Sequence, residues 1–152
     1  QLNSSWTLVD GIVLGTTIPV SDVMIDPAEA IDGLQSLRCY AESRTRLFKE
    51  VTQVVGVSEG VRIRARAQIK ADNLRVEFQQ REDSVYLSIV FVDPAGYPLG
   101  RPVRSIARLG SHNWEPLEID AVAPPGAAGV RVGLLSGVSG IAYFDAVMIE
   151  IL

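Results

Sequence analysis

The segment VRIRARAQI, residues 61–69, places three arginines at alternate positions of the chain. Arg62, Arg64 and Arg66 alternate with small apolar residues, and Gln68 continues the polar series. Because the side chains of a strand alternate between its two faces, this pattern predicts a β-strand with an apolar core face and a basic outer face. A planar guanidinium binds carboxylate or sulfate through paired hydrogen bonds, so the basic face is a candidate ligand-binding surface.

A second interpretation gives these arginines a structural role. Same-face neighbours on a strand lie roughly 6–7 Å apart, so three guanidiniums repel one another unless acids neutralise them. Glu42, Glu77 and Glu82 are the candidate partners, and each pair would contribute about 0.2–1 kcal/mol. A third interpretation is contact with another domain or subunit. The sequence leaves all three open.

Composition limits the classes of function that fit the chain. The 152 residues carry a formal net charge of −4, whereas general nucleic-acid binders are usually basic, so we expect no nucleic-acid partner. No run of about 18 uncharged apolar residues occurs, so no membrane-spanning helix is expected. The length fits one domain over residues 1–152. The start, QLNSSW, lacks a signal-peptide pattern, which leaves a cytoplasmic protein, a mature secreted protein or a module of a larger chain.

The residue types needed for catalysis are scarce. His112 is the single histidine and lies in a turn-like GSHN segment, and no Gly-x-Ser-x-Gly motif accompanies it. Cys39 is the single cysteine, which excludes an internal disulfide and a Cys-rich zinc site. We expect Cys39 to be a small buried side chain. The chain is therefore not expected to be an enzyme as an isolated domain.

Short strand-like runs separated by turn residues dominate the sequence. Alternation and β-branched content predict strands at 36–43, 47–57, 61–69, 74–80, 84–92, 114–122, 129–136 and 141–152. Gly, Asn, Asp and Ser predict turns between them, among others at 71–73, 108–113 and 136–140. Only residues 26–34 have helix-like start and stop signals. Many short strands with regular turns indicate an all-β sandwich or barrel.

The predicted strands also assign positions to the tyrosines. Tyr86 shares a face of its predicted strand with Ser88. Tyr40 falls on the polar side of its strand, and Tyr97 lies at the tip of a proline-flanked turn. In the last predicted strand, the odd-numbered residues from 143 to 151 share one face.

Four segments in order carry a resemblance to a known family: NSSW (3–6), DGLQSLRC (32–39), YLSIVFVDPAGYPLG (86–100) and HNWEPLEIDAVAPPGAAGVRVGLLSGVSGIAYFDAVMIE (112–150). Together they resemble the galactose-binding-like β-jelly roll, and within it the carbohydrate-binding modules of the four-and-nine type. The resemblance spans nearly the whole chain. It implies a β-sandwich jelly roll of two packed antiparallel sheets. In such a fold we expect 61–69, 74–80 and 84–92 to lie near one another, which would bring Tyr86 close to the arginines.

The resemblance further implies a structural metal ion, often calcium, which binds hard oxygen ligands. Carried onto this sequence, the candidate ligands are Asp145, Asp32, Gln35 through its carbonyl, and Asp26. An alternative is that Asp145 only accepts hydrogen bonds from loop amides.

The resemblance implies a non-catalytic carbohydrate-binding module that holds a secreted glycoside hydrolase or polysaccharide lyase on its polysaccharide. The expected partners are a polysaccharide, with acidic glycans included, and other domains of the parent chain. The candidate ligand-binding residues are Arg62, Arg64, Arg66, Gln68, Gln79, Tyr40, Tyr86 and Tyr97. The alternative is a structural or interaction β-sandwich domain of an enzyme, virion or cell-surface protein, which the low aromatic content of 7% favours.

Overall fold

The computed structural model describes residues 7–12, 21–26, 28, 30–31, 36–41, 47–75, 85–107, 109–136 and 139–152. These residues form ten strands: β1 (Thr7–Ile12), β2 (Ser21–Asp26), β3 (Ser36–Ala41), β4 (Leu47–Gly56), β5 (Arg62–Arg75), β6 (Val85–Val92), β7 (Pro98–Arg104), β8 (Gly110–Val122), β9 (Gly129–Ser136) and β10 (Ser139–Ile151). The all-β fold class predicted from the sequence is confirmed.

The strands form two five-stranded antiparallel sheets. Sheet A has the order β1-β4-β9-β6-β7, and sheet B has the order β2-β3-β10-β5-β8. Sequence neighbours β5 and β6 therefore belong to different sheets. Within the described part of the chain, no helix is long and apolar enough to cross a membrane.

Strand β5 shows how the sequence builds the core. From Ile63 to Ala71 every odd-numbered side chain is buried and every even-numbered one is at least partly exposed, as the alternation of the sequence predicts. Ile63 and Ile69 are fully buried and pack with Phe144 of β10 and with core residues of sheet A. Each large apolar side chain buried in this way contributes about 1.5–3 kcal/mol to folding.

Two predicted turns are instead parts of strands. Residues 71–73 continue β5 as far as Arg75, and residues 110–113 begin β8. Asn73 has a positive φ of 55°, and the pairing of β5 with β8 shifts register on both sides of Ala71. Turn-forming residues here produce irregularities inside a long strand pair, because the partner strand continues past them.

A similar irregularity changes the faces of β10. Its register with β5 shifts between Asp145 and Met148, and Ala146 has a φ of 49°. Tyr143 and Met148 both lie opposite outward-facing residues of β5. The prediction that the odd-numbered residues from 143 to 151 share one face is therefore wrong, since the extra residue reverses the alternation.

Strand β7 forms the outer edge of sheet A. It carries prolines at 98 and 102 and arginines at 101 and 104, and nearly all its residues are exposed. Proline lacks a backbone donor, and a charged side chain is costly to cover, so such an edge resists pairing with a further strand.

Candidate functional site

The three arginines lie on the outer face of sheet B, between β8 and β10. We call this set of Arg62, Arg64 and Arg66 the arginine ladder. The register places Asp120 of β8 opposite Arg64, and Glu118 of β8 opposite Arg66. Glu150 of β10 lies opposite Arg64 on the other side, so β5 has acidic neighbours on both flanking strands.

Arg64 and Asp120 form the shortest pair of the ladder. The Nε and Nη2 atoms of Arg64 donate to the two carboxylate oxygens of Asp120 at 2.7 and 2.9 Å. This paired hydrogen bond raises the pKa of Arg64 and lowers the pKa of Asp120. Both groups stay charged at neutral pH and hold β5 and β8 in register.

The remaining arginines are also paired. Arg66 donates from Nε to Glu118 at 2.8 Å and from Nη1 to Glu150 of β10 at 3.3 Å. The Nη2 atom of Arg62 lies 3.7 Å from Asp120. The acids expected from the sequence, at positions 42, 77 and 82, lie outside the described residues.

Beyond Gln68, toward the end of β5, the outer face of sheet B has a cavity of about 460 Å³. Its lining residues are Lys70, Ala71, Asp72, Ser111, His112, Asn113 and Tyr143. The cavity lies where the register of β5 shifts relative to both of its neighbours, near Ala71 on the β8 side and near Gly140 on the β10 side. Register shifts of this kind turn side chains away from the regular alternation.

The cavity presents an aromatic ring beside several polar groups. Lys70 and Tyr143 are direct partners across β5 and β10, and the Lys70 ammonium lies 5.8 Å from the centroid of the Tyr143 ring. The Oδ1 atom of Asn113 accepts from the amide of Trp114 at 2.8 Å, which fixes the orientation of the Asn113 side chain. Asp72 is exposed, so its carboxylate can accept further hydrogen bonds.

His112 forms a half-buried wall of this cavity. Its Nδ1 atom lies 2.7 Å from the carbonyl oxygen of Asn113, and a carbonyl oxygen only accepts, so the proton of the neutral ring is on Nδ1. The Nε2 atom is buried and has no hydrogen-bond partner among the described residues. Sequence reasoning missed this site, because the Asp-Asn pair at 72–73 and the His-Asn pair at 112–113 resemble turn residues.

The predicted ligand-binding residues are not brought together as a single surface. Tyr86 lies in sheet A, is only 2% exposed, and has the Arg104 guanidinium 4.9 Å from its ring centroid. Tyr97 is 70% exposed in the connection between β6 and β7. The backbone of Tyr40 lies in β3, but its side chain, like the whole of Gln79, falls outside the described residues.

Two of the four candidate metal ligands, Asp145 and Asp26, have backbones at the end of sheet B where β3 begins. The two carboxylate oxygens of Asp145 accept hydrogen bonds from the amides of Ile31 at 2.9 Å and Ala146 at 2.7 Å. Asp26 and Ser36 are partners at the ends of β2 and β3. The other two candidates, at positions 32 and 35, fall in a stretch that the structure does not describe.

Ser36 is the unexplained polar group at this end of the sheet. It is 3% exposed, and within the described part of the chain its Oγ atom has no hydrogen-bond partner. A carboxylate and a hydroxyl are hard oxygen donors of the type that calcium binds. The described residues contain no group of three or more His, Cys, Asp or Glu side chains that could hold a metal by themselves, so any complete ligand set needs further oxygens.

Comparison with known proteins identifies the fold. No family model matches the sequence, and no curated protein matches it. Among solved structures, the chain is similar to the enzymatically active domain of tailspike protein 4 from bacteriophage CBA120, with a TM-score of 0.75 and 16% identity over 98% of this chain. It spans only 20% of that tailspike chain.

Two similar structures match over most of their own length. The CBM22-1 xylan-binding domain from Paenibacillus barcinonensis Xyn10C has a TM-score of 0.62 and 13% identity, over 98% of this chain and 86% of that one. The module TmCBM61, solved with β-1,4-galactotriose, has a TM-score of 0.61 and 15% identity, over 98% and 90%. At these identities the likeness concerns the fold. The chain therefore has the β-sandwich jelly-roll fold of these carbohydrate-binding modules, as its sequence motifs predicted.

Proposed function

We propose that the chain is a non-catalytic carbohydrate-binding module and that its sugar site is the cavity on sheet B. The observation that carries this proposal is the Tyr143 ring at a cavity of about 460 Å³ that also presents Asp72, Asn113 and Lys70. Small-molecule sites typically have volumes of about 300–1,000 Å³ and combine an apolar platform with a few placed polar groups.

The lining residues suit a sugar ring because each meets a different part of it. The apolar face of a pyranose packs on the Tyr143 ring. The Asp72 carboxylate accepts from sugar hydroxyls, the Asn113 amide group donates, and the Lys70 ammonium donates beside the ring. Gln68 lies between the cavity and the arginine ladder, where it would contact the next sugar of a longer chain.

The similar modules suggest which polymers to test first. One is described as a xylan-binding domain and another was solved with β-1,4-galactotriose, so β-1,4-xylan and β-1,4-galactan are the first candidates. In this proposal the module holds an attached glycan-active enzyme on its polymer outside the cell. Such tethering raises the effective concentration of the enzyme at its substrate.

We also propose a structural calcium ion at the end of sheet B that carries Asp145. The supporting observations are the Asp145 carboxylate and the buried Ser36 hydroxyl. Asp26, Asp32 and the carbonyl of Gln35 would complete the oxygen ligands. An ion here would join the final strand to the segment that precedes β3.

The sugar site is tested by retention of the protein in gels that contain xylan, galactan or a wider polysaccharide panel. We expect Tyr143→Ala to lose retention at least about tenfold, because an aromatic anchor typically contributes about 2 kcal/mol or more to binding. Tyr143→Phe should keep most of it, since the ring remains. Unchanged thermal melting of both variants would show that folding is intact.

Tyr97→Ala is the matched control, because Tyr97 is a more exposed tyrosine in the connection between β6 and β7. Loss of retention in this variant alone would place the site at that connection and contradict the cavity proposal. If no polysaccharide of the panel retains the unaltered protein, the result would favour the alternative, a structural domain of a larger assembly. The fold likeness to a tailspike over 98% of this chain supports that alternative.

A further inference from the structure

We infer that acidification releases the sugar from this cavity, and that His112 is the residue that takes up the proton. The inference rests on the proposed function and adds a regulation of the same site. Histidine is the side chain whose charge ordinarily changes between pH 5 and 8, and the sequence contains one. A change in retention over this range that depends on a histidine therefore has a single candidate.

The hydrogen bonds of the neutral His112 ring involve only one of its two nitrogens. The Nδ1–H group donates to the carbonyl oxygen of Asn113 at 2.7 Å. The Nε2 atom is buried and has no hydrogen-bond partner among the residues that the structure describes. The side chain is 16% exposed, and its register partner, Ala71, is 4% exposed. The Nε2 atom is therefore enclosed away from solvent.

Protonation changes what this enclosed atom requires. A neutral Nε2 is an acceptor without a donor, whereas a protonated Nε2 is a charged donor without an acceptor. Burying a charged group that lacks a hydrogen-bond partner costs more than burying a neutral one. The observed orientation of the His112 ring therefore suits the neutral form, and the protonated ring is driven toward solvent.

The nearest carboxylate on the same strand gives only weak compensation. The Glu115 carboxylate lies 4.0 Å from the Nδ1 atom of His112, beyond hydrogen-bond range, and its side chain is 41% exposed. Solvent and salt screen an attraction at such a site. Glu115 also faces Nδ1, so it supplies no acceptor to a proton on Nε2.

The neighbouring strands bring more positive than negative charge to this region. On β5, Lys70 and Asp72 line the cavity, and Arg75 ends the strand three residues beyond Asp72. On β10, the lining residue is Tyr143, which brings no charge between pH 5 and 8. Arg38 of β3 lies opposite Tyr143. Among these described residues, three cations face one carboxylate, so an additional imidazolium charge meets net repulsion.

The protonated ring reaches solvent through the cavity that it lines. A rotation that brings Nε2 into this space breaks the bond from Nδ1 to Asn113, whose amide group donates to the sugar in the proposed site. The rotated ring also occupies volume that the sugar needs. Ring protonation and sugar binding therefore exclude each other, and by linkage each weakens the other.

The test measures retention at a fixed ionic strength, on β-1,4-galactan and β-1,4-xylan, between about pH 8 and about pH 5.5. We expect retention by at least one of these polymers at the higher pH, and at least about fivefold weaker retention at the lower pH. A melting scan at both pH values checks that the protein is folded.

Two variants assign the pH dependence to a residue. In His112→Asn, an amide group can donate in place of Nδ1–H but takes up no proton in this range. We expect the ratio of its retention at the two pH values to be close to one, and His112→Gln serves the same purpose if that variant does not fold. Glu115→Gln is the control, because it removes the neighbouring carboxylate and leaves the histidine. We expect it to keep the fall in retention.

Proton NMR supplies a readout that does not depend on retention, since the ring signals come from a single histidine. Saturating β-1,4-galactotriose or xylohexaose, according to which polymer retains the protein, should lower the protonated fraction of the ring at a given acidic pH. A protonated fraction that the sugar leaves unchanged would overturn the inference.

The outcomes separate this inference from the proposed function. Equal retention of the unaltered protein at both pH values would overturn the inference and leave sugar binding intact. A fall in retention that persists in folded His112→Asn would assign the proton to another group and overturn it as well. If neither polymer nor any other of the panel retains the protein at either pH, the proposed function and the inference fail together.

Discussion

The pairs of the arginine ladder follow from where β5 lies in the sheet. The sequence predicted the face that carries Arg62, Arg64 and Arg66, because strand alternation depends only on local order. It could not predict their partners. Glu118 and Glu150 are more than 50 residues away along the chain from the arginine they pair with, and only the strand order brings them alongside.

The Arg64–Asp120 pair predicts that the free energy of unfolding depends on pH. The hydrogen bond from Arg64 holds the pKa of Asp120 below 3.8, the ordinary value for an aspartate. A carboxyl with a lowered folded-state pKa stabilises the protein fully above its unfolded value, and this contribution is lost as the pH falls through the folded value. We expect Asp120→Asn to lower the urea midpoint at neutral pH, and the difference to shrink as the pH falls below 3.8 and Asp120 takes up a proton.

The measurement is urea unfolding of both proteins across that pH range. Arg64→Gln provides the control, because Asp120→Asn should have little further effect once its partner is absent. A difference between Asp120→Asn and the unaltered protein that grows as the pH falls would contradict the assigned pairing.

At the level of the strands, irregular pairing in sheet B shapes the candidate site. Sequence alternation predicted the bounds of β4, β6 and β9 closely, because their alternating or continuous apolar runs end at clear turn residues. It failed at 71–73 and at 110–113, where the same residue types lie inside long strands. The cavity lies at these two segments. Sequence reasoning missed the site because the residue types of both segments are typical of turns.

Gly140 is the position where the irregular pairing is most demanding. Its φ is 101°, and an added Cβ would clash with the carbonyl oxygen of Asn73 and lie 2.9 Å from that of Asp72. Both contacts are to backbone, so no side-chain rotation relieves them. We expect Gly140→Ala to destabilise the protein by about 2–4 kcal/mol and to weaken sugar retention, because Asp72 would have to move.

Gly96→Ala separates the cost of a side chain at positive φ from the cost of the close backbone contact. Gly96 also has a positive φ, of 87°, but an added Cβ would have nothing within 4 Å. Its cost should be about 1 kcal/mol, without an effect on retention. Chemical denaturation measures both variants, and an equal loss of stability would show that the close approach of β5 and β10 at Gly140 is not constraining.

In the molecule as a whole, the resemblance of four short motifs was enough to predict the jelly roll, since the motifs lie in order across nearly the entire chain. The candidate site was harder to predict from the sequence. Tyr86 was expected beside the arginines because the implied jelly roll was expected to bring 61–69 and 84–92 together, yet β5 and β6, neighbours in sequence, belong to different sheets. Proximity in sequence misleads in a two-sheet fold, in which successive strands often change layer.

The proposed calcium ion predicts a property of the entire fold. A ligand that binds the native state and not the unfolded chain raises the free energy of unfolding by about 2.7 kcal/mol at a hundred times its Kd. We therefore expect added calcium to raise the melting temperature, and a chelator to lower it by several degrees. Asp145→Asn should abolish this calcium response. A melting temperature that changes with neither calcium nor chelator would contradict the proposal.

The edge formed by β7 affects how copies of this chain behave when they are crowded. Molecules held on one polymer reach high local concentration, a condition in which exposed sheet edges join and precipitate. The prolines at 98 and 102 remove backbone donors from this edge, and the arginines beside them add charge that a neighbouring strand would have to cover. If the chain binds a polymer as proposed, a dense layer of such molecules can therefore coat it as separate particles, with the β7 edge of sheet A protected against self-association.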